Sequence, residues 1–420
     1  MHLIKKLLML LPPVKKHVIG IKNLQRENTE KDSQLQLLQA ILENSRSPGL
    51  ISTENDSLTE RLLSHPALHP LPPVKIGSTH ANPHSNRLSI SERLLRAYHK
   101  SIKDESTSIL KREKEDLWTG LIRNELPDLI KAIEKNDAKG LSDFLLHFGN
   151  SFVWFGGITT CIDGYNRNLD LNHVALTYYD KLICLAEYLG VIQFENPESG
   201  PWGKNLQLDI NIVVDKIEQH LGISISPPLG AIHTDGLETS KGLFHYRHIN
   251  SLYSAVRLKE LNPLNQPCLE FGGGLGITAL YASKLGIKNY TMLDLPITCL
   301  LAGNYLLNSM KPEDVCLYGE VMGINQIKLL PYWECLKLQP NYFQTTLNQD
   351  SFPEIDDTLL KEYLNQIKRV TNDNFLSINH EYFYPRTVNS FVNNWTQFKK
   401  IYRSKYWIRE GYIEELWKVS

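Results

Sequence analysis

The segment Cys268–Gly276, with the sequence Cys-Leu-Glu-Phe-Gly-Gly-Gly-Leu-Gly, constrains the fold more than any other part of the chain. The apolar residues at its start predict a buried strand, and the apolar spacing from Ile277 to Leu285 predicts a helix. A chain that reverses from strand to helix beside a ligand needs backbone conformations that side chains block. Gly272, Gly274 and Gly276 supply those conformations, so the sequence predicts a turn built to hold a ligand.

A second strand with an acid at its end follows this turn. Tyr290–Asp294, with the sequence Tyr-Thr-Met-Leu-Asp, has the apolar character of a buried strand that ends in a carboxylate. A carboxylate at the carboxyl end of such a strand can accept hydrogen bonds from the hydroxyls of a ribose. The succession of strand, glycine turn, helix, strand and acid therefore predicts a site for a nucleoside cofactor.

The acid ahead of the turn discriminates between two classes of cofactor. Glu270 and the glycines form Glu-x-Gly-x-Gly-x-Gly, which resembles motif I of the class I S-adenosylmethionine (SAM) dependent methyltransferases. SAM carries a sulfonium and an ammonium group that a carboxylate attracts, whereas the pyrophosphate of a dinucleotide is an anion that prefers a helix N-terminus. The pattern thus favours a methyltransferase over a nicotinamide enzyme, and the chain has no Tyr-x-x-x-Lys pair typical of short-chain dehydrogenases.

Four stretches together resemble the bacterial sugar O-methyltransferases found with polysaccharide biosynthesis. They are Leu269–Gly276, Tyr290–Pro296, Leu347–Glu354 and Phe375–Glu381. The resemblance implies a Rossmann-like α/β domain with a mostly parallel, seven-stranded sheet, SAM as cofactor, and a sugar or glycan hydroxyl as methyl acceptor. The residues expected to bind the cofactor are Glu270, Gly272, Gly273, Gly274, Gly276, Asp294 and Leu295.

The chain divides into four parts by its patterns. We expect residues 1–46 to form an N-terminal helical segment, in which imperfect heptads from Ile21 to Leu42 indicate either self-association as a homo-oligomer or a solvated amphipathic helix. Residues 47–88 are rich in Ser, Pro, Asn and His and form a linker. Residues 89–240 have helical periodicity and predict a mainly α-helical domain, and residues 241–420 form the methyltransferase domain. After Tyr290–Asp294, its predicted strands are Val315–Tyr318, Tyr342–Leu347, Phe375–Ile378, Lys399–Ile408 and Tyr412–Val419.

Composition excludes several other classes of function. The 45 basic and 46 acidic residues give a net charge of -1, which offers no attraction for nucleic acid. Six cysteines without a Cys-x-x-Cys pair indicate a reducing compartment, so we expect a cytoplasmic protein. The apolar run Leu7–Leu11 is too short to span a bilayer, although the lysines around it allow peripheral membrane contact. Prolines separate the histidines of the linker, so no metal site is expected.

Methyl transfer to a hydroxyl requires an aligned acceptor and a base that removes its proton. His380 is the first candidate for that base because it follows a predicted strand whose carboxyl end faces the ligand crevice. His245 and His248 lie on a predicted helix just upstream, and a spacing of three places them on one face. Asn348 follows the preceding strand and is also a catalytic candidate. Each histidine has the alternative of a purely structural role.

Three further residues are candidates for binding the acceptor. Asp350 could orient sugar hydroxyls or cap the next helix, and Glu381 could bind substrate, orient His380 or be a surface acid. Trp202, in a loop rich in proline and glycine, could offer its ring to a sugar or lie in the core. Two other functions stay open: a methyltransferase for another small hydroxyl or amine acceptor, and a non-catalytic scaffold with the same fold.

Overall fold

The computed structural model describes residues 72–80, 85–110, 117–150, 171–196, 198, 203–228, 232, 235–393, 395–409 and 411–420. The predicted heptads from Ile21 to Leu42 and the candidate sugar-binding residue Trp202 lie outside these described residues. The predicted boundaries at residues 46, 88 and 240 stay predictions.

Helices dominate the described residues before position 222, as their periodicity predicts. They are α1 (Arg87–Glu105), α2 (Leu117–Glu125), α3 (Pro127–Glu134), α4 (Ala138–Leu146), α5 (Leu171–Tyr188) and α6 (Ile210–Leu221). Pro127 stands at the start of α3, where the missing N–H costs nothing. Asp137 caps α4 by accepting a hydrogen bond from the Gly140 amide at 2.9 Å.

A small antiparallel sheet accompanies these helices and was not predicted. It contains β1 (Ile76–Ser78), β2 (Asp235–Thr239) and β3 (Gly242–Phe244), in that order. Its strands have three to five residues, which is too short for a period-two pattern to stand out in the sequence.

The C-terminal half forms a large, mainly parallel sheet. Its strands are β4 (Cys268–Phe271), β5 (Tyr290–Asp294), β6 (Val315–Leu317), β7 (Ile327–Pro331), β8 (Phe343–Gln349), β9 (Thr371–His380), β10 (Phe398–Lys405) and β11 (Tyr412–Val419), in the order β6-β7-β5-β4-β8-β9-β11-β10. Only β11 runs antiparallel to its neighbours, β9 and β10, so a hairpin closes the sheet as predicted.

The prediction of seven strands is wrong, because the described residues form an eight-stranded sheet. The missed strand is β7, with the sequence Ile-Lys-Leu-Leu-Pro, which lies between β5 and β6. Lys328 interrupts its apolar run, yet the side chain is buried because its ammonium donates a hydrogen bond to Asn289 at 2.8 Å. The hydrogen bond to Asn289, 39 positions away in sequence, thus allows a lysine to be buried in a strand that pairs with β5 and β6.

Helices cover both faces of the large sheet. They are α7 (Tyr246–Leu261), α8 (Ile277–Lys284), α9 (Pro296–Leu307), α10 (Asp357–Val370) and α11 (Val388–Val392). One hydrophobic cluster joins α7, α8 and α9 to the sheet and to the N-terminal helices, and a second cluster contains the buried side chains of α10 and α11. The parallel strands between these layers end together at one carboxyl edge, which is where ligands bind in open α/β sheets.

Helix α1 is anchored at the edge of this sheet that β6 forms. Its Arg93 forms a bidentate ion pair with Glu320 at 2.6 and 2.7 Å and donates to the Val315 carbonyl at 2.6 Å. Within the described part of the chain, no helix is long and apolar enough to cross a membrane, and no group of three or more potential ligands could hold a metal ion.

Candidate functional site

The glycine turn follows β4 directly and has the backbone that the sequence predicts. Gly272, Gly274 and Gly276 have φ angles of 70°, 57° and 75°, in the left-handed region that side chains disfavour. Space is also restricted, since a Cβ on Gly272 would lie 2.2 Å from the hydroxyl oxygen of Ser351. A Cβ on Gly273 would lie 2.4 Å from the sulfur of Met292. The turn therefore requires glycine for both its conformation and its packing.

Asp294 ends β5 beside this turn and is tied to it. One carboxylate oxygen accepts a hydrogen bond from the Gly274 amide at 2.9 Å, and the other accepts from the Leu295 amide at 2.7 Å. Burial raises the pKa of Asp294 to about 6, against the lowering effect of these two hydrogen bonds. The Thr298 side chain also donates a hydrogen bond to Asp294. Because a carboxylate can accept about four hydrogen bonds, Asp294 can still receive a donor from a ligand.

Glu270 lies beneath the turn rather than in the open crevice. It is 2% exposed, and a Cβ on Gly273 would lie 2.7 Å from its carboxylate. Burial raises the pKa of Glu270 to about 7. The Tyr290 hydroxyl lowers this pKa by donating a hydrogen bond at 2.8 Å, whereas the negative charge of Asp294 raises it further. The negative charge of Glu270 would act on a bound cation across the backbone of the turn.

Asn348, predicted as a catalytic residue, lies fully buried at the end of β8. Its amide nitrogen donates to the Phe271 carbonyl at 2.8 Å and to the Ser351 hydroxyl at 2.6 Å. Its amide oxygen accepts a hydrogen bond from Asn379 at 2.8 Å. These bonds connect the ends of β4, β8 and β9, so the structure gives Asn348 a positioning function beneath the glycine turn.

His380 ends β9 at the same carboxyl edge and is partly exposed. Its Nδ1 accepts a hydrogen bond from the Tyr382 amide at 3.3 Å, so the proton of the neutral ring lies on Nε2. Nε2 faces a carboxylate oxygen of Glu354 at 4.0 Å. The carboxylate near the ring is thus Glu354, not the adjacent Glu381 that the sequence suggested.

His245 and His248 do not share a helix face. His245 precedes α7 and caps it, accepting a hydrogen bond from the Arg247 amide at 3.2 Å. His248 lies in the first turn of α7, buried, with its Nδ1 3.0 Å from the Tyr281 hydroxyl. Burial lowers the pKa of His248 to about 3. A ring with that pKa is a weak base and belongs to the contact between α7 and α8.

Asp350 belongs to a polar cluster that sequence analysis did not find. It follows β8 with a φ angle of 56°, and its carboxylate accepts hydrogen bonds from Arg409, at 2.6 Å, and from the Tyr412 hydroxyl. Burial alone would raise the pKa of Asp350, but the charge of Arg409 and the bond from Tyr412 outweigh it, and the pKa lies below its ordinary value. The site thus holds an ionised carboxylate.

Aromatic rings connect this cluster to His380. The ring of Tyr412 contacts the ring of His380 with centroids 5.7 Å apart, and the guanidinium of Arg409 lies 4.2 Å from the centroid of the Tyr412 ring. Tyr412 and His380 are also directly paired between β11 and β9. The pairing of two strands distant in sequence places them together, which no local pattern could show.

Glu381 is engaged elsewhere. Its carboxylate accepts a hydrogen bond from Arg403 on β10 at 2.7 Å, and Arg403 also pairs with Glu415 at 3.0 Å. A ligand would have to compete with Arg403 for this acid.

The carboxyl edge thus has two sides. The first, the cofactor side, consists of Glu270, the glycine turn from Gly272 to Gly276, Asp294 and Leu295. The second, the acceptor side, consists of Asp350, Glu354, His380, Arg409 and Tyr412. Asn348 and Ser351 lie between them, since both contact the end of β4. The cofactor side offers backbone amides and carboxylates, and the acceptor side offers the imidazole ring of His380 near the carboxylate of Glu354.

Comparison with known proteins gives matches only among solved structures. No protein family matches the chain, and no curated protein does. Among the solved structures, the PH0226 protein from Pyrococcus horikoshii OT3 is 13% identical over 44% of this chain and 93% of its own, with a TM-score of 0.33. A SAM-dependent methyltransferase from Aquifex aeolicus is 12% identical over 42% and 100%, with a TM-score of 0.30. The glycopeptide N-methyltransferase MtfA, solved with sinefungin, is 12% identical over 40% and 94%, with a TM-score of 0.32.

Proposed function

We propose that this protein is a SAM-dependent O-methyltransferase that acts on a sugar hydroxyl in the assembly of bacterial surface polysaccharides. One observation carries the proposal: three left-handed glycines follow β4, and the Asp294 carboxylate at the end of β5 is bonded to the middle one, Gly274. The choice of a sugar as acceptor rests on the resemblance of four sequence stretches to sugar O-methyltransferases.

The cofactor side fits SAM in shape and charge. Four of the five residues of the turn are glycines and the side chain of Leu275 is buried, so a ligand can approach the backbone of the turn closely. Asp294 has acceptor capacity left for a ribose hydroxyl, while Glu270 places a carboxylate under the turn for the ammonium and sulfonium groups. A dinucleotide would instead bring its pyrophosphate toward Glu270, which like charge disfavours.

The acceptor side supplies what a methyl transfer to oxygen needs from the protein. When bound, SAM provides an electrophilic methyl group. The protein must align the acceptor oxygen and take its proton, and positioning contributes the larger share of the rate. Asp350, kept ionised by Arg409, is suited to accept a hydrogen bond from a sugar hydroxyl and so to fix the ring orientation.

His380 is our candidate for the base. The Nδ1 lone pair would receive the proton from the acceptor hydroxyl, and the Tyr382 amide would release its bond to that nitrogen. The resulting imidazolium would carry its other proton on Nε2, facing Glu354. A carboxylate in that position stabilises the charged ring, as an orienting acid does in other acid–base pairs.

The test is a methyl-transfer assay with SAM against a panel of monosaccharides, nucleotide sugars and oligosaccharides, detecting S-adenosylhomocysteine (SAH). We expect turnover of at least one sugar and, in His380→Ala, a decrease of roughly 100-fold or more with unchanged SAH affinity. His220→Ala, at an exposed position of α6, is the control and should keep full activity.

Two outcomes would contradict this assignment. Full activity of His380→Ala would move the role of base to His245. Binding of SAH by a protein that methylates no acceptor would favour the scaffold function.

A further inference from the structure

Three consecutive aromatic side chains are exposed directly beyond His380. Tyr382, Phe383 and Tyr384 are 50%, 43% and 78% exposed. The ring of Phe383 contacts those of Tyr382 and His380, with centroids 5.1 and 5.8 Å apart. Soluble proteins rarely leave a continuous apolar surface of this kind without a function for it. We call these three residues the aromatic segment.

The aromatic segment is fixed to the rest of the site. The Tyr384 amide donates to the Glu381 carbonyl at 3.0 Å, and the Arg386 amide donates to the Phe383 carbonyl at 2.9 Å. The guanidinium of Arg386 donates to Asp357 at 2.9 Å and to the carbonyls of Pro353 and Ile355. Those carbonyls flank Glu354, the acid that faces His380. The rings are therefore held beside the candidate base, and binding a ligand on them costs little ordering.

Polar groups next to the rings indicate the chemistry of the ligand. Glu381 and Arg403 form an ion pair at one end of the aromatic segment, and a carboxylate oxygen of Glu354 lies 4.0 Å from Nε2 of His380. A purely apolar partner would remove water from these charged groups without replacing the hydrogen bonds that water makes to them. A pyranose has an apolar face of C–H groups, which can pack on the aromatic rings, and an edge of hydroxyls, which can form hydrogen bonds with the charged groups. The slightly positive C–H groups are attracted to the negative face of an aromatic ring.

We propose that the aromatic segment is a second sugar-binding subsite, which stacks a pyranose of the acceptor glycan next to the sugar that is methylated. The subsite would make an oligosaccharide a better acceptor than a single sugar, because a monosaccharide bound in the position for methyl transfer would not also contact the aromatic segment. This proposal rests on the proposed function for the identity of the ligand, but its test is a binding experiment that needs no methyl transfer.

The experiment measures binding of the labelled full-length protein to a microarray of bacterial O-antigen and capsular oligosaccharides. The test variant is Tyr382→Ala with Tyr384→Ala, and the conservative variant replaces both tyrosines with phenylalanine, which keeps the rings. Leu264→Ala is the matched control, because Leu264 is 78% exposed and precedes β4 at the opposite edge of the sheet. Calorimetry with SAH on every variant checks the fold and the cofactor side.

We expect the alanine variant to bind the retained oligosaccharides about tenfold more weakly, while the phenylalanine variant and Leu264→Ala stay within about twofold of the unchanged protein. SAH affinity should be the same in all four proteins. Equal glycan binding by the alanine variant would overturn the proposal, as would an unchanged protein that binds SAH but retains no oligosaccharide. Failure of the proposed function shows in other measurements, as absence of SAH binding or absence of methyl transfer to any sugar by the unchanged protein.

Discussion

The cofactor side and the acceptor side of the carboxyl edge are assembled in opposite ways. Residues 270–295 supply the whole cofactor side, and the bond from Gly274 to Asp294 spans 20 positions. The acceptor side joins residues from three distant segments, and its bond from Arg409 to Asp350 spans 59 positions. A ligand shared by many enzymes can be held by one local unit, whereas a specific acceptor needs a surface that tertiary structure assembles.

The two sides also differ in electrostatics. Burial raises the pKa values of Glu270 and Asp294 on the cofactor side. On the acceptor side, Arg409 and Tyr412 bring the pKa of Asp350 below its ordinary value. The two acids of the cofactor side thus have no cation among their described partners. A cationic ligand would therefore favour their ionised forms more strongly than it would favour that of Asp350.

The largest effect is expected from Gly272→Ala on the cofactor side. The added Cβ meets Ser351 in a left-handed backbone, so we expect a loss of about 2 to 4 kcal/mol in the free energy of unfolding. SAH affinity should fall about 100-fold or more, because the turn cannot keep its shape. Denaturant titration and calorimetry measure the two quantities.

Gly190→Ala separates strain from packing in that experiment. Gly190 has a φ angle of 68°, close to that of Gly272, but a Cβ there meets nothing within 4 Å. Gly190→Ala should therefore lower the free energy of unfolding by only about 1 kcal/mol and leave SAH affinity unchanged. Equal losses in the two variants would mean that the contact with Ser351 does not matter.

A smaller effect is expected from Arg409→Gln on the acceptor side. Asp350 would lose the charge that keeps it ionised in a partly buried position, which should cost about 1 to 3 kcal/mol of stability. SAH affinity should not change, because Arg409 touches none of the residues of the cofactor side. Asp143→Asn, in an exposed pair with Lys139, is the control and should have no measurable effect. A large loss of SAH affinity in Arg409→Gln would show that the two sides are not independent.

The smallest effect is a dependence on pH with opposite sign on the two sides. Glu270 and Asp294 have raised pKa values in the folded protein, so between about pH 4 and 7 the folded state binds more protons than the unfolded state. Their contribution to stability is therefore lost as pH rises through this window. Asp350, with its lowered pKa, contributes stability above its ordinary pKa, and that contribution is lost below about pH 4.

SAM binding should show the reverse trend, since the ionised carboxylates attract the cation. Thermal unfolding and calorimetry at pH 5.5 and 7.5 should give a more stable free protein and weaker SAM binding at the lower pH. Glu270→Gln should reduce the difference between the two pH values both in thermal stability and in SAM affinity. The same pH dependence in Glu270→Gln as in the unchanged protein would assign it to other groups.

The sequence predicted the local parts of this structure. The glycine turn, Asp294, the C-terminal hairpin and the helical periodicity before residue 222 depend on neighbours in sequence, and all are observed. Strand β7 was missed because its buried Lys328 depends on Asn289. The same limit applies to the acceptor side, where Glu354 approaches His380, and Arg409 reaches Asp350, only after the strands have paired.

The most direct test of the account is calorimetric titration of the protein with SAM, SAH and NADPH, repeated with Asp294→Ala. We predict micromolar binding of SAM and SAH, no binding of NADPH, and a loss of about 1.5 to 3 kcal/mol in the variant as a charged acceptor disappears. Asp373→Ala, at the opposite end of the sheet, should bind SAH as the unchanged protein does. Binding of NADPH alone, or unchanged SAH affinity in Asp294→Ala, would contradict the assignment of the cofactor side.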